Sequence, residues 1–316
     1  MNRTEIAAAI PDTFGGLEEA KLPPDLRFYR GKVRDIVDLD DRMVLCTTDR
    51  ISAFDRILTT IPYKGDVLNS MSLYWFEKTE DIVQNHLAER ISSRTVVVKK
   101  YDLLPVEVVI RAYLTGSSWR DYRKDGTVSG IKLPGGMRFN QKFEQPLLTP
   151  STKAEQGAHD RPISVREIIG EGIVDEKLWK AVEEAAFALF ARGTELAAEQ
   201  GLILVDTKYE FGISGGKPVL VDEIHTPDSS RYWYADTYEE LFEKGEKQRK
   251  IDKEYLRQWL MAQGFMGDGE QPEIPDSIRT DVAEKYITAF ETITGEEFAP
   301  DSGTPEEETE KILTAV

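Results

Sequence analysis

The chain has almost no cysteine or histidine: one Cys, Cys46, and three His in 316 residues. A lone thiol excludes an intrachain disulfide and any metal cluster held by several thiolates. Three histidines are a thin supply for imidazole chemistry. Basic residues are also short, with 40 Lys and Arg against 57 Asp and Glu, for a net charge of −17. Bulk electrostatics therefore work against a nucleic-acid or anionic-membrane partner. No run approaches the ~20 apolar residues of a membrane span, and residues 1–24 hold no signal-peptide core. These absences point to a cytoplasmic protein with no membrane or nucleic-acid partner. Any anionic substrate has to be held by a local island of Arg and Lys.

What remains is an ordinary globular composition, 40% hydrophobic and 31% charged, long enough for one large domain or two. Early apolar alternation predicts strands over 28–37, interrupted at Gly31-Lys32, and over 43–47, with Asp40-Asp41 in the turn between them. Residues 48–56 read as a polar, turn-rich connection. Two more strands, near 96–102 and 106–111, are joined through Leu103-Leu104-Pro105. Helical spacing predicts helices over about 66–89, 175–200, 238–258 and 279–294. Ser164 and Glu167 have the spacing of a capping box, and Gly126 to Gly136 reads as a hairpin. The long polar loop from Thr149 to Asp160 is of a kind that is usually functional. The acidic end, 296–310, reads as frayed.

The most informative stretch is Leu204-Val205-Asp206-Thr207-Lys208-Tyr209-Glu210-Phe211-Gly212 and its return, Val219-Leu220-Val221-Asp222-Glu223. Alternation puts Asp206, Lys208 and Glu210 on one face of a strand whose other residues are largely apolar. The plain reading is a hairpin with cross-strand ion pairs. The functional reading is a phosphoryl-transfer site, since magnesium is typically held by one or two carboxylates plus phosphates. A strict two-residue turn at Gly215-Gly216 would set Tyr209 opposite Asp222. A bulge would shift the register and face Glu210 with Asp222; the shifted register is the expectation.

Leu103 to Ser117 and Leu204 to Gly212 resemble the two signatures of the SAICAR synthetase family. Arg30-Gly31-Lys32-Val33-Arg34-Asp35, Ile51-Ser52-Ala53-Phe54-Asp55 and the run Asp222 to Arg231 are similar to other stretches of it. The resemblance covers about residues 28–260. It implies an α+β fold: an N-terminal antiparallel sheet domain and a larger α/β domain, with ATP in the cleft between them, followed by C-terminal helices. The corresponding division is 1–105, 106–260 and 261–316. It also implies ATP-dependent ligation of carboxyaminoimidazole ribotide to L-aspartate, giving ADP, phosphate and SAICAR.

Carried over by position, Gly31 and Lys32 meet the ATP phosphates and Leu104 lies against adenine. Glu210 and Asp222 hold Mg2+. Arg111, Ser117 and Arg231 take the ribotide's anionic groups, with Asp228 and Ser230 shaping that loop. Asp206 and Lys208 face the reacting groups. Each has a plainer alternative: Arg111 paired with Glu107, Ser117 as a helix cap, Lys32 as surface. His225 is expected near the site, and His159 has no assigned role. A small-molecule kinase and a non-catalytic nucleotide-binding protein are the competing readings, and a monomer is the expected state.

Overall fold

The structure is a computed structural model and describes residues 1–54, 56–153, 161–251 and 255–315. The chain divides into two compact units. One comprises Met1–Tyr74, Leu87–Lys100 and Asp252–Val316; the other comprises Trp75–His86 and Tyr101–Ile251. The C-terminal segment thus groups with the first sheet, where the sequence division set it apart. The fold is α+β.

The first unit is built on a five-stranded antiparallel sheet ordered Arg27–Arg30, Arg34–Leu39, Arg42–Thr47, Thr95–Lys99, Leu87–Arg90. Leu39 pairs with Arg42, leaving Asp40-Asp41 as a two-residue turn with Asp40 at φ 68°. Alternation turns Val37, Val44, Cys46 and Val97 inward, where Phe14, Leu17, Leu22 and Ile312 cover them. Burial pushes the Cys46 thiol up to about 12, so it stays protonated and is no nucleophile.

Three expectations change here. The helix expected to reach residue 89 spans Lys64–Lys78, and Leu87–Arg90 is a strand. Residues 48–56 are not simply a connection: Arg50–Ala53 and Arg56–Thr60 pair as a hairpin, and Thr48, Asp49 and Arg50 are buried. The acidic end is an ordered helix, Pro305–Ala315. Its Glu308 is fully buried and accepts from Ser92 Oγ and Thr95 Oγ1, both at 2.7 Å, and from Lys311 Nζ at 2.8 Å. Composition alone reads that helix as solvated, because its apolar anchors, Ile312 and Leu313, are diluted by glutamates.

The second unit holds a seven-stranded antiparallel sheet centred on the 13-residue strand Leu202–Ser214. On one edge, its first half pairs with Ser230–Tyr234 and its second half with Lys217–Val221. On the other, it pairs first with Val106–Tyr113, then with Asp102–Leu103. Helix Glu176–Glu199, capped by Asp175, buries Trp179, Val182, Leu189 and Phe190. The predicted 238–258 helix is two, Tyr238–Lys244 and Tyr255–Ala262. The capping box is present, with Glu167 N–H donating to Ser164 Oγ at 3.2 Å and Ser164 N–H to Glu167 Oε2 at 2.8 Å.

Candidate active site

Along Leu202–Ser214 the side chains at 207, 209 and 211 are buried in the core, while those at 208 and 210 are partly open. Asp206, Lys208 and Glu210 therefore share the face away from that core, as period-2 geometry requires. Asp206 stands opposite Arg111 on one side and Arg231 on the other. Arg111 Nη1 donates to Asp206 Oδ2 at 3.1 Å; Arg231 Nε donates to Oδ1 at 2.9 Å and its Nη2 lies 2.7 Å from Oδ2. One carboxylate thus orients two guanidiniums. Burial lowers the Arg111 pKa, Asp206 opposes that shift, and Arg231 adds to it. Two cations this close favour a further anion.

Two residues along, Lys208 Nζ donates to Glu107 Oε1 at 2.9 Å and to Glu210 Oε1 at 2.8 Å. Burial works against its charge, but Glu210 and Glu107 outweigh that and raise the Lys208 pKa well above its ordinary value. Lys208 is therefore a fixed cation and not a base. Glu210 Oε2 accepts from Lys153 Nζ at 2.5 Å. Arg111 Nε donates to Thr149 Oγ1 at 3.0 Å. Arg111 is thus held by Asp206 and Thr149, not by Glu107. Sequence reasoning missed the parts of Thr149, Lys153 and Glu107, since only the strand register brings them to this face. The polar run Thr149 to Lys153 was the available signal.

Helix Gly116–Asp125 begins beside Arg231. Gly116 sits at φ 60°, and a Cβ there would overlap the Arg231 guanidinium. Ser117 lies in the first turn and is not the cap, a place that falls to Thr115. Backbone N–H groups and a guanidinium at one helix start suit a phosphate.

The loop from Asp222 to Ser229 bridges the change of strand partners beside Lys208, whose N–H donates to Ser229 O at 3.1 Å. Thr226 organises this loop: its Oγ1 accepts from Asp228 N–H at 3.2 Å and Ser229 N–H at 3.3 Å, and donates to Glu223 at 2.8 Å. Ser230 pairs with Thr207, and its hydroxyl donates to Thr207 Oγ1 at 2.7 Å. It shapes the strand start on the core face, away from Asp206 and Arg231.

Two expectations fail at this level. The hairpin register is the unshifted one, with Glu210 opposite Val221 and Ser214 opposite Lys217. Gly215 and Gly216, at φ 55° and 76°, make a two-residue turn whose twist matches the strands, so no bulge is needed. Asp222 lies past the last ladder pair at φ 66°, where the strand's alternation no longer governs it. His225, expected near the site, instead sits on the core side of the strand. It is fully buried, its Nε2 lies 2.6 Å from Tyr209 Oη, and burial lowers its pKa to about 3. Tyr209 points to the core face, so His225 stands behind the strand from Lys208. His159 lies outside the described residues.

Leu104 is buried and its N–H donates to Phe211 O at 2.8 Å, so this donor is already used within the sheet. In the first unit, Gly31 N–H donates to Arg34 O at 2.8 Å, closing a tight loop with Lys32 exposed. A Cβ at residue 31 would stand 2.9 Å from that oxygen, which explains the glycine.

Residues 27–272 match the family model described as SAICAR synthetase. The chain belongs to the SAICAR synthetase family. The phosphoribosylaminoimidazole-succinocarboxamide synthase of Bacteroides thetaiotaomicron is 48% identical over 282 residues, covering 87% of this chain and 90% of that protein. The corresponding protein of Legionella pneumophila strain Lens is 47% identical over 293 residues, with 90% and 93% covered. The solved SAICAR-synthase from Saccharomyces cerevisiae, complexed with SAICAR, aligns with a TM-score of 0.77 and 38% identity, covering 88% of this chain and 99% of that one. Membership in this family makes the chain an enzyme, an ATP-dependent carbon–nitrogen ligase of purine biosynthesis. Among the described residues, no helix is long and apolar enough to cross a membrane.

Proposed function

We propose that the chain joins the carboxylate of carboxyaminoimidazole ribotide to the amine of L-aspartate through an acyl phosphate. A carboxylate is a poor electrophile because attack must expel oxide. Phosphorylation solves this: a carboxylate oxygen attacks the γ-phosphorus and ADP leaves. The amine then attacks the acyl carbon, the C–O bond to phosphate breaks, and nitrogen gives up a proton. Such steps depend on positioning and charge neutralisation more than on covalent help from the protein.

The observation that carries this reading is the row of charges on one sheet face: Arg111, Asp206 and Arg231, then Glu107, Lys208, Glu210 and Lys153. Arg231, Arg111 and the helix start at Gly116-Ser117 hold the ribotide's anionic groups. Asp206 aligns the two guanidiniums, a role better fitted to its double ion pair than proton transfer. Lys208, permanently charged, neutralises a non-bridging oxygen of the phosphoryl group. Lys32 and the Gly31 loop meet the ATP phosphates, and the Leu104 segment lies against adenine.

Magnesium, when bound with ATP, supplies charge neutralisation on the β- and γ-phosphates. Among the described residues no group of three or more His, Cys, Asp or Glu could hold an ion unaided. Glu210 and Asp222 would hold it together with phosphate oxygens, and the donor chemistry fits, since both are hard carboxylates. Lys208 and Lys153 already place two ammonium groups against Glu210, so magnesium would take the place of one of them at that carboxylate.

The test is ADP release with ribotide present, with and without aspartate. The ligase reading expects sustained turnover only with aspartate and one SAICAR per ADP. Sustained ADP release without aspartate would favour a kinase.

A further inference from the structure

Arg50 is a buried cation that the reaction above does not use, and its surroundings assign it a task. Its guanidinium donates from Nε to Lys32 O at 3.1 Å and from Nη1 to Gly15 O at 2.5 Å. From Nη2 it donates to Gly31 O at 2.9 Å, Arg34 O at 3.2 Å and Asp35 Oδ1 at 2.7 Å. Asp35, fully buried, accepts from Leu17 N–H at 2.8 Å through its other oxygen. A Cβ at Gly16 would collide with both Asp35 Oδ2 and Arg50 Nη1, so the backbone of 15–17 lies directly against the pair.

A guanidinium has five N–H donors in a fixed plane. Here each nitrogen is directed at the protein, so Arg50 offers no nitrogen to a ligand. Three of its acceptors are carbonyls of one short loop, 31–34. Turning those oxygens inward onto a cation leaves the loop's other groups, with the Lys32 ammonium, to face an incoming anion. A loop with free carbonyls would repel phosphate.

We infer that Arg50 is a positioning residue, which holds the carbonyls of the 31–34 loop inward and so shapes the surface that receives the ATP phosphates. This rests on the reading of Gly31 and Lys32 as the phosphate loop. Arg50 acts through that loop and does not touch the nucleotide. Lysine cannot replace it, because three tetrahedral donors on one nitrogen cannot reach acceptors spread around a plane.

The full chain is compared with Arg50→Lys and Lys32→Ala by varying ATP, ribotide and aspartate in turn, by ADP titration calorimetry and by thermal melting. Arg50→Lys keeps a cation beside Asp35. Its KM for ATP and Kd for ADP should rise about tenfold, the scale of one lost charge-assisted hydrogen bond. The KM values for ribotide and aspartate should stay as they were. A purely structural role would lower the melting temperature and spare the ATP constants of the folded fraction; that result overturns the inference. Should Arg50→Lys not fold, Arg50→Gln with Asp35→Asn removes the buried charges together and replaces it, with the same ATP-selective loss expected. If Lys32→Ala weakens nucleotide binding and neither Arg50 variant does, the inference about Arg50 fails alone. If Lys32→Ala has no effect, the loop is not the phosphate site and both readings fail.

Discussion

Arg231 and Arg111 reach one carboxylate from opposite strands, so the loss of either leaves Asp206 with a partner. Arg231→Ala should therefore melt close to the parent while losing its hold on the ribotide. Hydrogen bonds to charged groups contribute about 1.5–3 kcal/mol, which predicts a ribotide KM raised roughly 10- to 100-fold. The ATP KM should change little; equal losses for both substrates would count against the assignment. Lys208 makes a pH prediction. Its folded pKa is raised, so its charge and its stabilising contacts are whole below the unfolded value of ~10.4 and fade only above it. The pH profile of kcat should show no alkaline limb from Lys208 below about pH 10. An alkaline limb that disappears in Lys208→Arg would contradict that.

His225 behaves in the opposite sense. Burial holds it down to about 3, whereas an unfolded histidine titrates near ~6.5, so the unfolded chain takes up the proton first. The contribution of His225 to stability is complete above ~6.5 and is lost as pH falls toward 3. His225→Asn, which tolerates the positive φ of 53°, should flatten the decline of urea-unfolding free energy between about pH 6 and 4. An unaltered slope would place the acid sensitivity elsewhere.

At the scale of elements, the long strand shows what alternation can and cannot convey. The face shared by Asp206, Lys208 and Glu210 was legible, because side-chain direction along a strand is local. Their partners were not, because pairing with Glu107, Arg111 and Arg231 depends on register across three separate segments. The Gly215-Gly216 turn was legible too, yet the expected bulge was wrong: a tight turn with two positive φ angles outweighed an inferred need to face two carboxylates. Gly215→Ala or Gly216→Ala should each cost about 1–2 kcal/mol, since a Cβ disfavours the left-handed region. Denaturant titration would show it. The C-terminal helix gives the converse lesson. Its acidic composition pointed to fraying, but Ile312 is fully buried among Phe14, Leu17 and the first sheet. Ile312→Ala should lower stability by about 2–5 kcal/mol, as for other buried aliphatic truncations. A fall well under 1 kcal/mol would mean that the helix is not docked.

For the whole molecule, the net charge of −17 hid a second kind of structure. Asp35 with Arg50, and Asp49 and Asp66 with Arg94, are buried pairs, although the sequence places Asp49 and Arg50 in a polar, turn-rich connection. Burial of a charge is decided by its partner, and the partners lie 15–45 positions away. Motif resemblance therefore carried the family and alternation the shared face of Asp206, Lys208 and Glu210, while the supports behind them became visible only in three dimensions. The central claim is that the ribotide carboxylate is activated by direct phosphorylation, with no covalent enzyme intermediate. The buried, protonated Cys46 and the neutral, core-facing His225 are consistent with it. The most direct measurement uses ribotide labelled with heavy oxygen in its carboxylate and follows the phosphate released. The account predicts one labelled oxygen in that phosphate, appearing only as aspartate completes turnover. Unlabelled phosphate, or AMP and pyrophosphate as products, would contradict it.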